Sequence, residues 1–386
     1  MGFLGRIGNS FIGALIGLVV LPVSVLLLGW NEYRTVQRSH GIAEAKSVVV
    51  SIPDANEVAA DLNDKLVHLT GLATTEEILR DPQFAVEEVG IHLARRVEMY
   101  QWVEDKRTTG TGNNRKTEYD YELKWESGRV DSSRFEEPSA HLNPDLGIPE
   151  TSVTADDVHI GRYQLSDPLK HEMDDYIPVF IVEDQVLEDL PEDQWDQLVV
   201  RNNELFWSAT APNPDQPELG DLRIRFEVVR PAEVSLVAKL QGDKFSEYRT
   251  SNNEPFERLY LGAFSAEQVM EKLTQENTLM AWLLRIMGTG MSVVGFWMIL
   301  GPIRSITSFI PVLAQLTGGL VFVVSLLMGT IISLTVIAVA WIAVRPLLGI
   351  GLLVIVFGAV FLVVRIFMGR KRMSQDEEDM VMANPV

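Results

Sequence analysis

The C-terminal part of the chain contains an almost unbroken apolar stretch that runs from Leu279 to Gly369. About 20 apolar residues cross a hydrocarbon core of about 30 Å, so this stretch is long enough for three crossings. Its only charged residues are four arginines, Arg285, Arg304, Arg345 and Arg365. The sequence therefore predicts an integral membrane protein of the α-helical, multi-pass class.

A second apolar segment, Ile7 to Trp30, lies near the start of the chain. A cleaved signal peptide needs small residues directly after its apolar run, and the residues that follow Leu28 do not supply them. We therefore predict an uncleaved transmembrane helix over residues 7–30. Gly13 and Gly17 form a GxxxG pair within it, which allows close approach of two helices in lipid but is also common in membrane helices generally.

The basic residues predict the orientation, because Lys and Arg near short segments tend to stay cytoplasmic. Four helices at 7–30, 279–302, 318–342 and 346–368 place the basic residues of 1–6, 303–317 and 369–386 on one side. Both ends are then cytoplasmic, 303–317 is an interfacial helix or loop, and 31–278 forms an extracytoplasmic domain.

Charge is divided unequally between these parts. Residues 31–278 contain 25 Lys+Arg and 49 Asp+Glu, a net charge of -24, whereas the rest of the chain has a net charge of +4. An acidic domain is repelled by nucleic acid and anionic lipid headgroups, so we predict no nucleic-acid partner. The chain has no Cys, which excludes disulfides and thiol catalysis. Together with the lack of Asn-x-Ser/Thr sequons, this favours a bacterial inner membrane.

The pattern of residues 31–278 predicts an α+β domain. Asp54 and Glu57 have the spacing of a capping box, which predicts a helix from Asp54 to about Lys65. Apolar and polar residues alternate in two pairs of segments, each pair predicting a hairpin: 97–104 with 119–126, and 222–228 with 234–240. Ser265 and Gln268 predict the start of a long helix that continues from Ala266 into the membrane and couples the domain rigidly to it.

One face of the first hairpin carries Glu98, Tyr100, Trp102 and Glu104, which suits a contact surface for a partner. A solvated, partly buried strand face has the same pattern, so both interpretations stay open.

Several segments resemble one known family. They are Val97–Glu104, the Tyr119/Tyr121/Trp125 arm, Ile160–Ser166, Gly220–Phe226, Phe264–Val269 and Arg345–Leu347. Together they resemble the LUMA family, also called transmembrane protein 43, over nearly the whole chain. The resemblance implies four membrane helices, cytosolic termini and a large outer domain. For eukaryotic members it also implies the endoplasmic reticulum or nuclear envelope, self-association, and partners such as emerin and lamins. A bacterial cell has no lamina, so these partners need not carry over to a bacterial member.

Catalytic chemistry is poorly supported. Residues 279–369 contain no Asp, Glu, His, Lys, Cys or Tyr, so their serines have no general base. The histidines form no HExxH motif, and Asp156-Asp157-x-His159 and His171-x-x-Asp174-Asp175 are weak metal patterns. We predict no catalytic residue, metal site or cofactor. An amphiphile-processing enzyme that uses outer residues such as Glu98 or His141 is the alternative, and an anion channel past Arg285 and Arg345 is the third hypothesis.

The remaining patterns favour assembly. Ser325, Gly329 and Ser333 recur every four residues, so they align on one helix face for packing within or between subunits. Arg285 beside Trp282 suggests an interfacial anchor, and Arg345-Pro346 a turn between the last two helices. The sequence thus predicts a non-enzymatic scaffold that forms a homo-oligomer in the lipid bilayer and binds membrane-protein partners.

Overall fold

The chain forms two compact units in the structure, which is a computed structural model. It describes residues 3–84, 86–109, 116–183, 186–187, 190–307, 311–342, 346–362 and 365. Met1–Ala43 and Glu271–Val386 make up the first unit, here called the helical unit. Glu44–Met270 make up the second, here called the β domain. These boundaries divide the chain by its internal packing and do not show which residues lie on which side of a membrane. The extracytoplasmic range 31–278 therefore stays a prediction.

The described helices include three that are long and apolar enough to cross a membrane. These candidate spans are Ser10–Val48, Ala266–Ile299 and Thr317–Ile342, and a shorter apolar helix follows at Pro346–Leu362. The helices described here are labelled in chain order as α1 Phe3–Val48, α2 Asp167–His171, α3 Ala266–Ile299, α4 Gly301–Thr307, α5 Pro311–Ile342 and α6 Pro346–Leu362. The protein is therefore a membrane protein with three candidate membrane helices, whereas four spans and their orientation stay predictions.

Helix α1 does not end at Trp30, where the apolar run stops, but continues to Val48. No Pro or Gly occurs between Asn31 and His40 to interrupt it. At 1.5 Å per residue, the 39 residues of the candidate span extend about 58 Å, roughly twice the hydrocarbon thickness. Part of α1 must therefore lie outside the hydrocarbon core in any orientation close to the membrane normal.

The predicted long helix beginning at Ala266 is confirmed as α3. Its first turn carries a reciprocal capping box: the Gln268 amide N–H donates to Ser265 Oγ at 3.3 Å, and the Ser265 N–H donates to Gln268 Oε1 at 2.8 Å. The short helix α4 lies in the region predicted as an interfacial helix or loop. Arg345 and the tail 369–386 lie outside the described residues.

Strands dominate the β domain. In chain order they are β1 Val50–Ser51, β2 Leu66–Thr74, β3 Ile78–Arg80, β4 Glu87–Val89, β5 His92–Thr109, β6 Lys116–Ser127, β7 Thr151–Thr154, β8 His159–Ile160, β9 Tyr163–Gln164, β10 Tyr176–Pro178, β11 Leu198–Arg201, β12 Glu204–Trp207, β13 Leu222–Val229, β14 Ala232–Gln241, β15 Lys244–Ser246, β16 Tyr248–Arg249, β17 Pro255–Phe256 and β18 Arg258–Leu261.

These strands form two main sheets. The first has the order β1-β2-β8-β9-β15-β14-β18, and it closes on itself because β2 also pairs with β14. The second has the order β11-β12-β13-β5-β6, with β10 added beside β13 and β7 beside β5. One continuous apolar core draws on both, including Val97, Met99, Ile224, Phe226 and Leu236, each no more than 1% exposed. Two-sheet packing of this kind buries the inner face of each sheet.

The first predicted hairpin is confirmed. Strands β5 and β6 pair antiparallel through twelve residue pairs, from Glu98–Ser127 to Thr109–Lys116. Residues 110–115 of the connecting loop lie outside the described residues.

The second predicted hairpin is wrong. Strand β13 pairs with β5, β10 and β12, whereas β14 pairs with β2, β15 and β18, so these neighbours in sequence belong to different sheets. Three consecutive residues of β14, Leu236 to Ala238, are fully buried, so both faces of this strand are covered. The Arg230–Glu233 segment therefore passes from one sheet to the other, and alternation alone does not distinguish that from a hairpin turn.

The predicted helix from Asp54 to Lys65 is also wrong. Only Ala60–Leu62 forms a single 3-10 turn there. Asp54 does use its side chain, but its Oδ1 accepts from the N–H and the side-chain amide of Asn56, which is a turn pattern rather than a helix cap.

Candidate functional site

A buried ion pair joins two helices of the helical unit. Glu32 lies on α1, two residues past the apolar run, and Arg285 lies on α3. The Nε and Nη2 atoms of Arg285 donate to Oε1 and Oε2 of Glu32 at 2.6 and 2.8 Å, a bidentate arrangement. The Glu32 side chain is 1% exposed and the Arg285 side chain is 13% exposed. Removing either charge would leave the other buried without compensation, which is strongly destabilising.

Two tryptophans complete this pair. Trp341 of α5 donates its Nε1–H to Oε2 of Glu32 at 2.9 Å. The Arg285 guanidinium carbon also lies 5.5 Å from the Trp341 ring centre and 5.1 Å from that of Trp282, within the range of cation–π attraction. We call Glu32, Arg285, Trp282 and Trp341 the ion-pair cluster. It connects α1, α3 and α5 through charge, hydrogen bonds and ring contacts.

Two cavities of different character adjoin the cluster and share Trp282, Arg285 and Trp341 in their walls. One, of about 460 Å³, is bordered by Glu32, Thr35, Ser39, His40 and Thr278, and we call it the polar cavity. The other, of about 420 Å³, is bordered mainly by Ile286, Leu334, Ile337 and Leu352, and we call it the apolar groove. The cluster thus forms the boundary between a polar and an apolar compartment.

The sequence-predicted site residues fall in several places. Arg285 lies over the Trp282 ring and is paired with Glu32, and the role of Arg285 and Trp282 as an interfacial anchor stays a prediction. Pro346 is the first residue of α6 and is exposed. Arg345 lies outside the described residues.

The small residues pack inside the subunit. Ser24 Oγ lies 2.7 Å from Ser292 Oγ, and Ser333 Oγ donates to Ser292 Oγ at 3.3 Å, so one buried serine cluster joins α1, α3 and α5. A Cβ on Gly17 would lie 2.7 Å from the Gly295 carbonyl oxygen, and one on Gly329 would lie 2.7 Å from the Val293 nitrogen. These contacts lie within one subunit, and packing of the same residues between subunits stays a prediction.

Two of the predicted small positions differ from that pattern. A Cβ on Gly13 would meet no atom within 4 Å among the described residues. Ser325 is fully buried, but its hydroxyl donates to the Val321 carbonyl of its own helix at 2.7 Å. Neither position therefore supplies a polar contact between helices.

The predicted hairpin face is partly occupied by the β domain itself. Arg223 and Arg225 both bond the Glu98 carboxylate, Arg225 at 2.8 Å. The Tyr100 and Trp125 rings lie 5.4 Å apart. The register also places Tyr119, Tyr121, Leu123 and Trp125 of β6 on this same face.

The middle of the face is held by a loop that follows β6. His141 stacks on Tyr121 with ring centres 3.7 Å apart, and it lies edge-on to Trp102 at 4.8 Å. Tyr121 donates its hydroxyl to Glu104 at 2.8 Å, and loss of solvent together with this bond raises the pKa of Tyr121. Near the hairpin tip, the residues from Asp105 to Thr109 and from Lys116 to Glu118 are exposed.

Glu32 is the functional residue that the sequence interpretation missed. The apolar run stops at Trp30, so the predicted helix 7–30 stops before Glu32. The sequence does contain a signal for Glu32: Arg285 is an isolated charge in an apolar helix, and such a residue requires a counter-ion. Glu32 is the first acidic residue in the chain, and it lies two residues after the end of the first apolar run.

The two patterns of one His with two Asp, at 156–159 and 171–175, do not come together as a metal site. His171 Nδ1 lies 2.7 Å from the Asp167 carbonyl oxygen, and His159 Nδ1 lies 3.2 Å from Asp157. Among the described residues, no three His, Asp or Glu side chains are grouped so that they could hold a metal ion.

Comparison with known proteins identifies the family. The family model described as Transmembrane protein 43 matches residues 99–346. Transmembrane protein 43 of Rattus norvegicus and that of Homo sapiens are each 30% identical over 361 residues, which is 90% of this chain and 88% of theirs. The homolog of Drosophila melanogaster is 31% identical over 357 residues, 88% of this chain and 91% of its own. No solved structure matches this chain. The resemblance found in the sequence is thereby confirmed, and the chain belongs to the transmembrane protein 43 family.

Proposed function

We propose that this protein is a non-enzymatic membrane organiser that self-associates and binds protein partners through its β domain. In this proposal α6 forms a fourth span, both ends of the chain are cytoplasmic and the β domain is extracytoplasmic. The basic residues near the short helical connections support that orientation. The single observation that carries the binding role is the hairpin of β5 and β6.

This hairpin reaches past the sheet that holds its base. Strand β13 pairs with β5 only as far as Met99, so β6 is the only described strand that pairs with the ten following residues of β5. The other edge of β5 is bonded at Tyr100 by the backbone of Gly220 and Asp221, and at Trp102 by the Asn143 side chain. Among the described strands, β6 is the last in the sheet and its outer edge has no partner strand. Unpaired edges are ready templates for strand addition by another chain.

The chemistry of the two hairpin faces suits a protein partner. Four side chains of β6 give one face its apolar character, namely Tyr119, Tyr121, Leu123 and Trp125, and each is half-buried. The opposite face carries Asp105, Asp120, Glu122 and Glu126, and it is acidic on balance although Lys124 on this face pairs with Glu122 at 2.7 Å. Aromatic residues are enriched at protein interfaces, and the acidic face favours a partner with a basic surface. A lipid surface is a poor fit because anionic headgroups repel these carboxylates.

Site-specific photocrosslinking of the full chain in native membranes tests this proposal. A photoreactive phenylalanine analogue replaces Tyr119 on the hairpin face, and the matched control replaces Phe180, a 79% exposed aromatic residue of the same domain. We expect crosslinks to a second copy or to a membrane protein identified by mass spectrometry from Tyr119, and at least fivefold fewer from Phe180. Monomer alone at Tyr119, or equal crosslinking at both positions, would contradict the proposal.

A further inference from the structure

We propose that the ion-pair cluster is the binding site for one bilayer lipid with an anionic headgroup, which places its headgroup in the polar cavity and a chain in the apolar groove. The site requires only groups of the helical unit, and it goes beyond the partner binding proposed for the β domain.

The two compartments explain why the ligand is an amphiphile. They differ in polarity, have similar volumes of about 460 and 420 Å³, and meet at the same three side chains. A purely polar ligand would leave the groove empty, and a purely apolar one would leave the cavity empty. Pockets of about 300–1,000 Å³ are the usual size for small-molecule sites.

The hydrogen bonds of the cluster indicate the sign of the headgroup charge. Both carboxylate oxygens of Glu32 already accept, from Arg285 Nε and Nη2 and from Trp341 Nε1. Nη1 of Arg285 receives no hydrogen-bond partner among the described residues, and Arg285 borders the polar cavity. A phosphate or carboxylate oxygen is the natural acceptor for such a guanidinium N–H.

Further polar groups border this position. Thr35 Oγ1 has no hydrogen-bond partner among the described residues, whereas the hydroxyls of Ser39 and Thr278 donate to the carbonyls of Thr35 and Thr274 at 2.8 Å. His40 borders the polar cavity as an exposed side chain. The residues of α3 and α5 on the other side of the shared wall, Ile286, Leu334 and Ile337, present hydrocarbon to a chain. The exposed ring face of Trp282, which is 56% exposed, lies where the two parts of an amphiphile would join.

The test uses the full chain reconstituted in nanodiscs with photoactivatable phosphatidylglycerol or phosphatidylcholine that carry the same diazirine chain. Labelled peptides are mapped by mass spectrometry. Thr289→Phe fills the apolar groove and leaves Glu32 and Arg285 themselves unsubstituted. The matched control is Leu283→Phe, a change to a 54% exposed residue of the same helix that borders neither cavity.

We expect phosphatidylglycerol to label peptides containing Trp282 or Trp341 at least fivefold more than phosphatidylcholine does. Thr289→Phe should remove most of that labelling and Leu283→Phe should leave it unchanged. Equal labelling by both lipids, or labelling that persists in Thr289→Phe, would overturn the proposal. Displacement of the probe by 10 mM inorganic phosphate (about that concentration suits a weak anion site) would also overturn it, because the site would then bind a free anion.

Mass spectrometry of lipids that co-purify with the unaltered chain gives a second measurement that does not depend on any variant. A stoichiometric anionic lipid retained through detergent washing supports the site. Retention of zwitterionic lipid alone, in the proportion present in the membrane, counts against it.

Discussion

Arg285 in the apolar region shows that the environment of a single residue can depend on a partner far away in sequence. Taken alone, Arg285 suits an anchor whose side chain extends to an interface, because long basic side chains often do this. In the structure it is instead held by Glu32, about 250 positions earlier in the chain. Local sequence cannot reveal such a pair, since it depends on which helix faces pack. The contact between Arg285 and Trp282 is different, because the two residues are three positions apart on one helix and such a spacing places them on the same face.

Buried histidines of the β domain lead to a prediction about pH. Burial is the main cause that lowers the pKa of His92, and the nearby His171 and Lys170 lower it further, although the hydrogen bond to the Lys170 carbonyl opposes them. Burial also lowers the pKa of His68. Below pH ~6.5 the unfolded chain therefore binds protons that the folded chain does not.

We expect the free energy of unfolding to be insensitive to His92 above pH 6.5 and to fall as the pH drops from there towards the folded pKa. One such group contributes at most about 1.4 kcal/mol per pH unit. Thermal unfolding of the full chain between pH 7.5 and 5.5 measures this, with His92→Gln as the comparison. The variant should show a shallower loss, and an equal or steeper loss would contradict the assignment.

At the level of elements, the helices of the helical unit pack through small residues. Gly17 of α1 lies against Gly295 of α3, Gly329 of α5 lies against Val293, and the serine cluster lies between them. The four-residue spacing predicted that these residues share a helix face. It could not predict the partner face, because the same spacing serves packing within one subunit and between two.

Substitutions at Gly13 and Gly17 test which glycine of the GxxxG motif packs against another helix. Gly17→Ala should destabilise the protein by about 1–3 kcal/mol, since the added methyl would meet the Gly295 carbonyl and nothing there can yield cheaply. Gly13→Ala should be neutral or slightly stabilising, because its Cβ has open space and Ala favours helix. Thermal unfolding in detergent checks both. A larger loss for Gly13→Ala than for Gly17→Ala would contradict this packing.

The serine cluster allows a direct test of helix proximity, because the chain has no native Cys. We expect the double substitution Ser24→Cys with Ser292→Cys to form a disulfide in native membranes under mild oxidation, since the two Oγ atoms are 2.7 Å apart. Leu26→Cys with Ser292→Cys is the control, because Leu26 is 71% exposed. Intramolecular bridges are expected from the first pair and not from the second, and the reverse result would refute the packing of α1 on α3.

In the β domain, the alternation of apolar and polar residues predicts one hairpin correctly and another wrongly. The hairpin of β5 and β6 was predictable because its arms alternate and its connection is short and rich in Gly and Asn. Strands β13 and β14 alternate equally well, yet they pair in different sheets. Strand β13 pairs with β5, and strand β14 pairs with β2. Both partners are far away in sequence, so local alternation cannot show whether β13 and β14 form a hairpin or belong to different sheets.

For the whole molecule, the sequence predicted the multi-pass membrane class, but it did not predict which helices and strands pack against each other. Apolar runs revealed the membrane helices, and distributed motifs revealed the family over nearly the full length. The length of α1 was missed because its last part is polar and is stabilised in part by tertiary contacts, such as the bond from the Asn31 side-chain amide to the Ala281 carbonyl at 3.1 Å. Hydropathy finds where a chain is apolar, whereas a helix ends where its backbone loses partners.

The central claim is that Glu32 and Arg285 hold α1, α3 and α5 together as one buried pair. A double-mutant cycle of Glu32→Gln and Arg285→Gln, followed by unfolding of the full chain in one detergent, measures their coupling most directly. We predict that each single change costs about 3 kcal/mol and that the double change costs clearly less than the sum, because the second substitution removes the uncompensated charge left by the first. Additive losses would contradict the account, since they would mean that the two side chains do not interact.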